Sequence, residues 1–145
     1  MFVSHTSWEN FSIACVGQGA VSRSFNVRLT KLEPEFEPVH WEVQLTRLAP
    51  DENEEPYELT LVEEDDDCAR IDVIHNHSNP HFLKAGIPEV LLPAVASRIG
   101  RRIRSNSSIA VGNIFRSENA TRMWERLRSI GRATLDNETD FYWLS

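Results

Sequence analysis

The stretch from Arg70 to Gly100 constrains this chain more than any other. It opens on the alternating run Ile71-Asp72-Val73-Ile74 and passes through a polar, His-rich turn. It then reaches Gly86 and Pro88, with apolar residues at Ile87, Leu91, Ala94, Val95 and Ile99. That order predicts strand, loop, glycine and helix. A helix start reached through a flexible backbone suits a phosphate or another anion, because its first N–H groups have no intrahelical partner. The residues before this unit read mostly as strand, and those after it alternate strand and helix. Function is therefore expected at this junction.

Residues 1–10 show no clear period, and Phe11 to Val16 is apolar enough for a strand that ends at the turn Gly17-Gln18-Gly19. Ser24 to Leu32 and Val39 to Leu48 alternate apolar and polar residues, as do Tyr57, Leu59 and Leu61 with their neighbours. Three half-buried strands in series, separated by short polar breaks, predict an antiparallel meander. Pro93 lies inside the expected helix and should kink it, and Gly100 should end it. Arg102 to Ser105 is a short strand candidate, and Asn106 to Phe115 has no regular period. Ser117 is a suitable N-cap for a second helix. In that helix Ala120, Trp124, Leu127 and Ile130 recur at core spacing up to Gly131. Ala133 to Leu135 and Phe141 to Leu144 predict a closing hairpin.

At 145 residues the chain is expected to form one domain, residues 1–145, with a sizeable core. Hydrophobic residues make up 41% and charged residues 26%, a globular composition. No apolar run approaches the roughly 20 residues that span a bilayer. The N-terminus lacks a basic region followed by an apolar one, so no secretory signal is expected. Cys15 and Cys68 are far apart and form no CxxC pair, which fits reduced thiols in a cytoplasmic protein. The net charge of −7 is unevenly spread: Leu32 to Asp67 carries −13 and Arg70 to Thr134 carries +7. The acidic part opposes nucleic-acid binding, while the basic part suits a small anionic ligand.

From about Arg70 to Ser145 the order of elements resembles the GNAT family of CoA-dependent N-acyltransferases. The residues that carry the resemblance are Gly86-Ile87-x-x-x-Leu91-Leu92, similar to that family's pyrophosphate loop and following helix. Asn119-Ala120, Trp124 and Gly131 are similar to its last helix. The resemblance implies an α+β (α/β) fold with a mixed, largely antiparallel sheet of about six to seven strands. Two main helices would lie in the C-terminal half. It also implies acetyl-CoA or another acyl-CoA as cofactor, an amine as acceptor, and cofactor contacts at Phe82, Leu83, Lys84, Ala85, Gly86, Ile87 and Asn119. Leu83 stands where the family loop has Gln or Arg, Pro88 offers no N–H, and the last helix has no Tyr. These departures leave a second expectation, a catalytically inactive interaction module that uses its acidic loops to hold a protein partner. A homodimer is compatible with either reading.

His75, His77 and His81 form H-x-H-x-x-x-H. A His at the end of the central strand could serve as a general base near neutral pH, which makes His75 and His77 the catalytic candidates. Two His one residue apart can also share a metal, and His75-Asn76-His77-Ser78 resembles the core of the zinc-dependent JAMM peptidases. That motif needs an Asp soon after, and none comes until Asp136, so no metal ligand is assigned. A zinc-dependent hydrolase built on His75 and His77 is the third reading.

Overall fold

Alternating apolar side chains through three consecutive segments give the middle of an antiparallel meander, and a strand on each side extends it to five. The computed structural model describes residues 3–64, 67–110, 112 and 114–145. Strands β1 (Val3–Val16), β2 (Ser22–Pro34), β3 (His40–Arg47), β4 (Tyr57–Glu64) and β5 (Cys68–His75) come in order, each paired with the next. Helix α1 (Ile87–Ile99) then carries the chain to β6 (Arg102–Arg104), which lies parallel to β5. Helix α2 (Glu118–Ser129) leads to β7 (Ala133–Asp136) and β8 (Phe141–Leu144), and β8 inserts between β6 and β7.

The result corrects the expected fold. One mixed sheet of eight strands, in the order β1-β2-β3-β4-β5-β6-β8-β7, dominates the molecule and curls into a half-barrel, with only two helices. This is not the GNAT-like sheet of six to seven strands that the second half of the sequence suggested. Part of the difference lies at the N-terminus, where the strand expected from Phe11 to Val16 is longer. Residues 1–10 have no apolar period, yet β1 begins at Val3 and pairs with β2 from Val3↔Pro34 to Val16↔Ser22. An edge strand buries few side chains, here Ile13 and Cys15 among residues 8–16, so backbone pairing rather than alternation defines it. The strands β1 and β2, 14 and 13 residues long, make sheet the main material of the fold. Twist accumulated across eight strands curls the sheet.

Helix α1 runs beside β1. Its start touches Val16, and at its far end the Arg98 guanidinium sits 3.6 Å above the Phe11 ring and 3.8 Å from the Glu9 carboxylate. Ile87, Leu91, Leu92 and Val95 are buried with Phe25, Val27, Leu45, Leu59 and Leu61 in one apolar cluster. Each such side chain stabilises by about 1.5–3 kcal/mol. The helix continues through Pro93 and ends where the Gly100 N–H donates to the Ala96 carbonyl at 3.0 Å. In α2, Trp124 and Leu127 join the core as expected, but Ile130 caps the helix and is 53% exposed. Of the acidic run Glu63 to Asp67, residues 65 and 66 lie outside the described residues. Both cysteines are buried and unpaired. Among the described residues no helix is long and apolar enough to cross a membrane.

Candidate functional site: a cleft between two diverging strands

The parallel pair β5–β6 is joined over three residues only, Cys68 to Arg70 against Arg102 to Arg104. Beyond Arg70 the two strands part. On β5 the register against β4 slips between Ile71 and Val73, leaving Asp72 as the extra residue of a bulge. A bulge bends the strand that carries it. On the other side, β6 meets β8 at the single pair Arg104↔Trp143, and the Ser105 N–H is drawn to the Tyr142 carbonyl at 2.9 Å. The second half of β5, Ile71 to His75, therefore keeps β4 on one edge and has no strand on the other. Among the described residues only the Ile71 carbonyl finds a partner on that free edge, the Asn106 side-chain amide at 2.9 Å.

An open cleft of about 1270 Å³ fills the gap. Its walls are the free edge of β5, the segments Phe82 to Gly86 and Pro88 to Glu89, Ser105 and Asn106, and the face of α2 from Asn119 to Arg126; Ile87 faces the core instead. The segment before α1 is held by close backbone packing. A Cβ on Gly86 would lie 2.4 Å from the Val16 carbonyl oxygen, and one on Gly17 would lie 2.4 Å from that of Lys84. Gly86 also has φ +74°, a conformation that favours glycine. The Gln18 N–H donates to the Lys84 carbonyl at 2.9 Å.

Within this segment the loop N–H groups divide into two sets. Those of Ser78, Asn79, His81, Phe82 and Leu83 are spent on Asn76 and Asn79. Those of Lys84, Ala85, Gly86 and Ile87 meet no acceptor among the described residues. The Lys84 ammonium likewise has no carboxylate partner among them. Of the other cations on the walls, Arg122 bonds Asn119, and Arg126 pairs with Glu89 at 2.7 Å. The α2 start is already capped, since Ser117 Oγ accepts the Ala120 N–H at 3.1 Å.

Arg116 holds the α2 wall. It is buried, and its guanidinium donates to Thr121 Oγ1, Ser105 Oγ, the carbonyls of Asn106 and Asp140, and the Asp140 carboxylate. Asp140 also accepts from Ser107 and Ser108. The Ser108 bonds, with help from Arg116, hold its carboxyl far below the usual range. In the core, burial pushes the Cys15 thiol up to about 11, with the Glu89 charge adding to it, so it is no thiolate nucleophile at neutral pH. Burial also raises the Tyr57 hydroxyl.

The residues expected from sequence are partly gathered here. His75, Asn119 and the segment Phe82 to Gly86 all line the cleft. Phe82, Ala85 and Ile87 are core side chains, so what this segment offers a ligand is backbone and Lys84. His75 Nδ1 accepts the His77 N–H at 2.9 Å, which places the proton of the neutral ring on Nε2 and makes that atom a donor. His77 is not a wall residue. It stands between two carboxylates, Glu55 at 2.5 Å and Glu58 at 3.3 Å. His81 lies instead near Asp51 and Glu54, whose carboxylates are already held by Arg47. The three histidines thus do not converge on one ion. The acidic segments are partly neutralised within the chain, through Arg47, Arg70 and Arg101. Arg116, Glu89 and Arg126 escaped the sequence reading, because nothing in their local pattern marks them as facing one another. The chain matches no family model, no curated protein and no solved structure.

Proposed function

We propose that the cleft binds an acyl-CoA and that the protein transfers its acyl group to an amine. The observation that carries this reading is the free edge of β5 beside a run of unpaired N–H groups. An exposed strand edge hydrogen-bonds an extended chain that bears amides, as in strand addition, and the pantetheine arm of CoA is such a chain. At the end near Lys84 to Ile87, unpaired backbone donors and an unpaired ammonium favour a pyrophosphate. The transfer needs little from the protein beyond position. The amine nitrogen attacks the thioester carbonyl, a C–N bond forms, the C–S bond breaks, and the departing thiolate takes the proton the amine loses. His75 Nε2–H is available as a donor to the oxyanion or the thiolate.

Calorimetric titration with CoA and acetyl-CoA tests the binding, and release of free thiol in the presence of a primary amine tests the transfer. A ligand at a hundred times its Kd should raise stability by about 2.7 kcal/mol. Lys84→Glu should weaken CoA binding at least about tenfold, and the loss should shrink as salt is raised. Absence of binding by a folded wild-type protein at millimolar CoA refutes the proposal. Binding without thiol release leaves a CoA-binding protein and removes the transfer step.

A further inference from the structure

Two charged groups face each other across the cleft. Glu89 stands in the first turn of α1 and Arg126 in the third turn of α2, and Arg126 Nε donates to Glu89 Oε1 at 2.7 Å. The two sides of this ion pair are unequal. The second carboxylate oxygen, Glu89 Oε2, is out of contact with solvent and has no hydrogen-bond partner among the described residues. A carboxylate with one oxygen buried and unsatisfied has lost hydration that the single bond to Arg126 does not replace. The Arg126 side chain is 54% exposed, and its two terminal nitrogens make no bond among the described residues. A guanidinium in that state keeps the planar fork that recognises phosphate through two parallel bonds. The other guanidiniums on the walls are committed elsewhere, Arg116 to Asp140 and Arg122 to Asn119.

We infer that Arg126 is the cleft's main anion-binding side chain, and that Glu89 is an internal anion which a phosphate-bearing ligand displaces. The inference rests on the reading of the cleft as a CoA site and adds a device that sets its affinity. Glu89 also lies at the positive end of α1, so it screens the same field that the unpaired N–H groups of Lys84 to Ile87 present. When a pyrophosphate takes Arg126 side-on, through Nε and one terminal nitrogen, it claims the donor that holds Glu89, the carboxylate is released and both its oxygens regain water. The exchange replaces a half-satisfied pair with a bidentate one. It discriminates against weak single anions, which cannot displace a tethered carboxylate.

The test is calorimetric titration of inorganic pyrophosphate, CoA and pantetheine into the wild type, Glu89→Gln, Arg126→Gln and the double variant, with circular dichroism to confirm the fold. Glu89→Gln should bind pyrophosphate and CoA about tenfold tighter or more, with pantetheine unchanged because it carries no anion. Arg126→Gln should weaken both anions about tenfold or more. In its background Glu89→Gln should give a gain several-fold smaller, the part owed to the helix start alone. Unchanged or weaker binding by Glu89→Gln overturns the inference, as does a gain equally large without Arg126. If wild type binds CoA and Glu89→Gln binds it equally, the displacement device alone is lost. If no variant binds CoA or pyrophosphate, both the device and the CoA reading are lost.

Discussion

Replacing Arg116 with Met should destabilise the protein by about 3 kcal/mol. Breaking a buried ion pair by removing one partner costs roughly 3–5 kcal/mol. The lower end applies here because the Asp140 side chain is one third exposed, at 33%, while that of Arg116 is 5% exposed. Met fills much of the same volume, so little of the loss is cavity. What remains is the loss of donors to the Asn106 carbonyl at 3.0 Å and the Asp140 carbonyl at 2.7 Å, and of the charge facing Asp140. At about 2.1 cal/mol/K of unfolding entropy per residue, a 3 kcal/mol loss lowers Tm by roughly 10 °C for a chain of this length. Urea denaturation of Arg116→Met, Asp140→Asn and the double variant gives the coupling, expected at about 1–3 kcal/mol. A loss under about 1 kcal/mol in Arg116→Met, or additive single variants, would refute the claim that this guanidinium clamps the α2 wall.

Three further outcomes are expected of the same structure. Gly86→Ala should cost more stability than Gly100→Ala by urea midpoint, since both have positive φ but only the first places its Cβ against backbone, 2.4 Å from Val16 O. Trp124→Ala should lose about 3–5 kcal/mol, because the indole is 1% exposed and stacks on Tyr142, whereas Ile130→Ala should stay within about 0.5 kcal/mol. Asp140, with its carboxyl held below the ordinary value, contributes stability that is present above about pH 4 and lost as pH falls through the lower folded value. Wild type should therefore lose more stability on acidification than Asp140→Asn, and equal losses would contradict the assignment.

Much of the sheet was legible because β2, β3 and β4 bury every second residue. Phe25, Val27 and Leu29, then Trp41, Val43 and Leu45, then Tyr57, Leu59 and Leu61 are all inside. Helix α1 was legible from Gly86 to Gly100 because both glycines adopt the left-handed backbone that marks a helix boundary. The first strand was legible only from Phe11 to Val16; the residues before Phe11 have no apolar period, and pairing with β2 fixes them. The added length widens the sheet's edge, and β1 provides the wall along which α1 runs. Ile130 misled for a local reason: helical spacing continued one residue past the last turn that has a core to face.

The cleft was legible only as a junction, and its chemistry came from geometry that a periodic pattern does not encode. Gly86 suggested an anion loop by its freedom, yet the fold spends that freedom on contact with Val16. The positive groups on the cleft walls are instead the neighbouring backbone and Lys84, with Arg126 on a helix about 40 residues away in sequence. Asp72 reads as an ordinary polar position in an alternating strand, but as the bulged residue it marks where β5 turns from β6. Without the bulge the ladder that starts at Cys68↔Arg102 could continue past Arg70, and the free edge proposed to hold a ligand would be covered by Ser105 and Asn106. Deleting Asp72 should restore that register, close the cleft and abolish CoA binding while the protein stays folded. Retained affinity in a folded deletion variant would show that the free edge of β5 is not what holds the ligand.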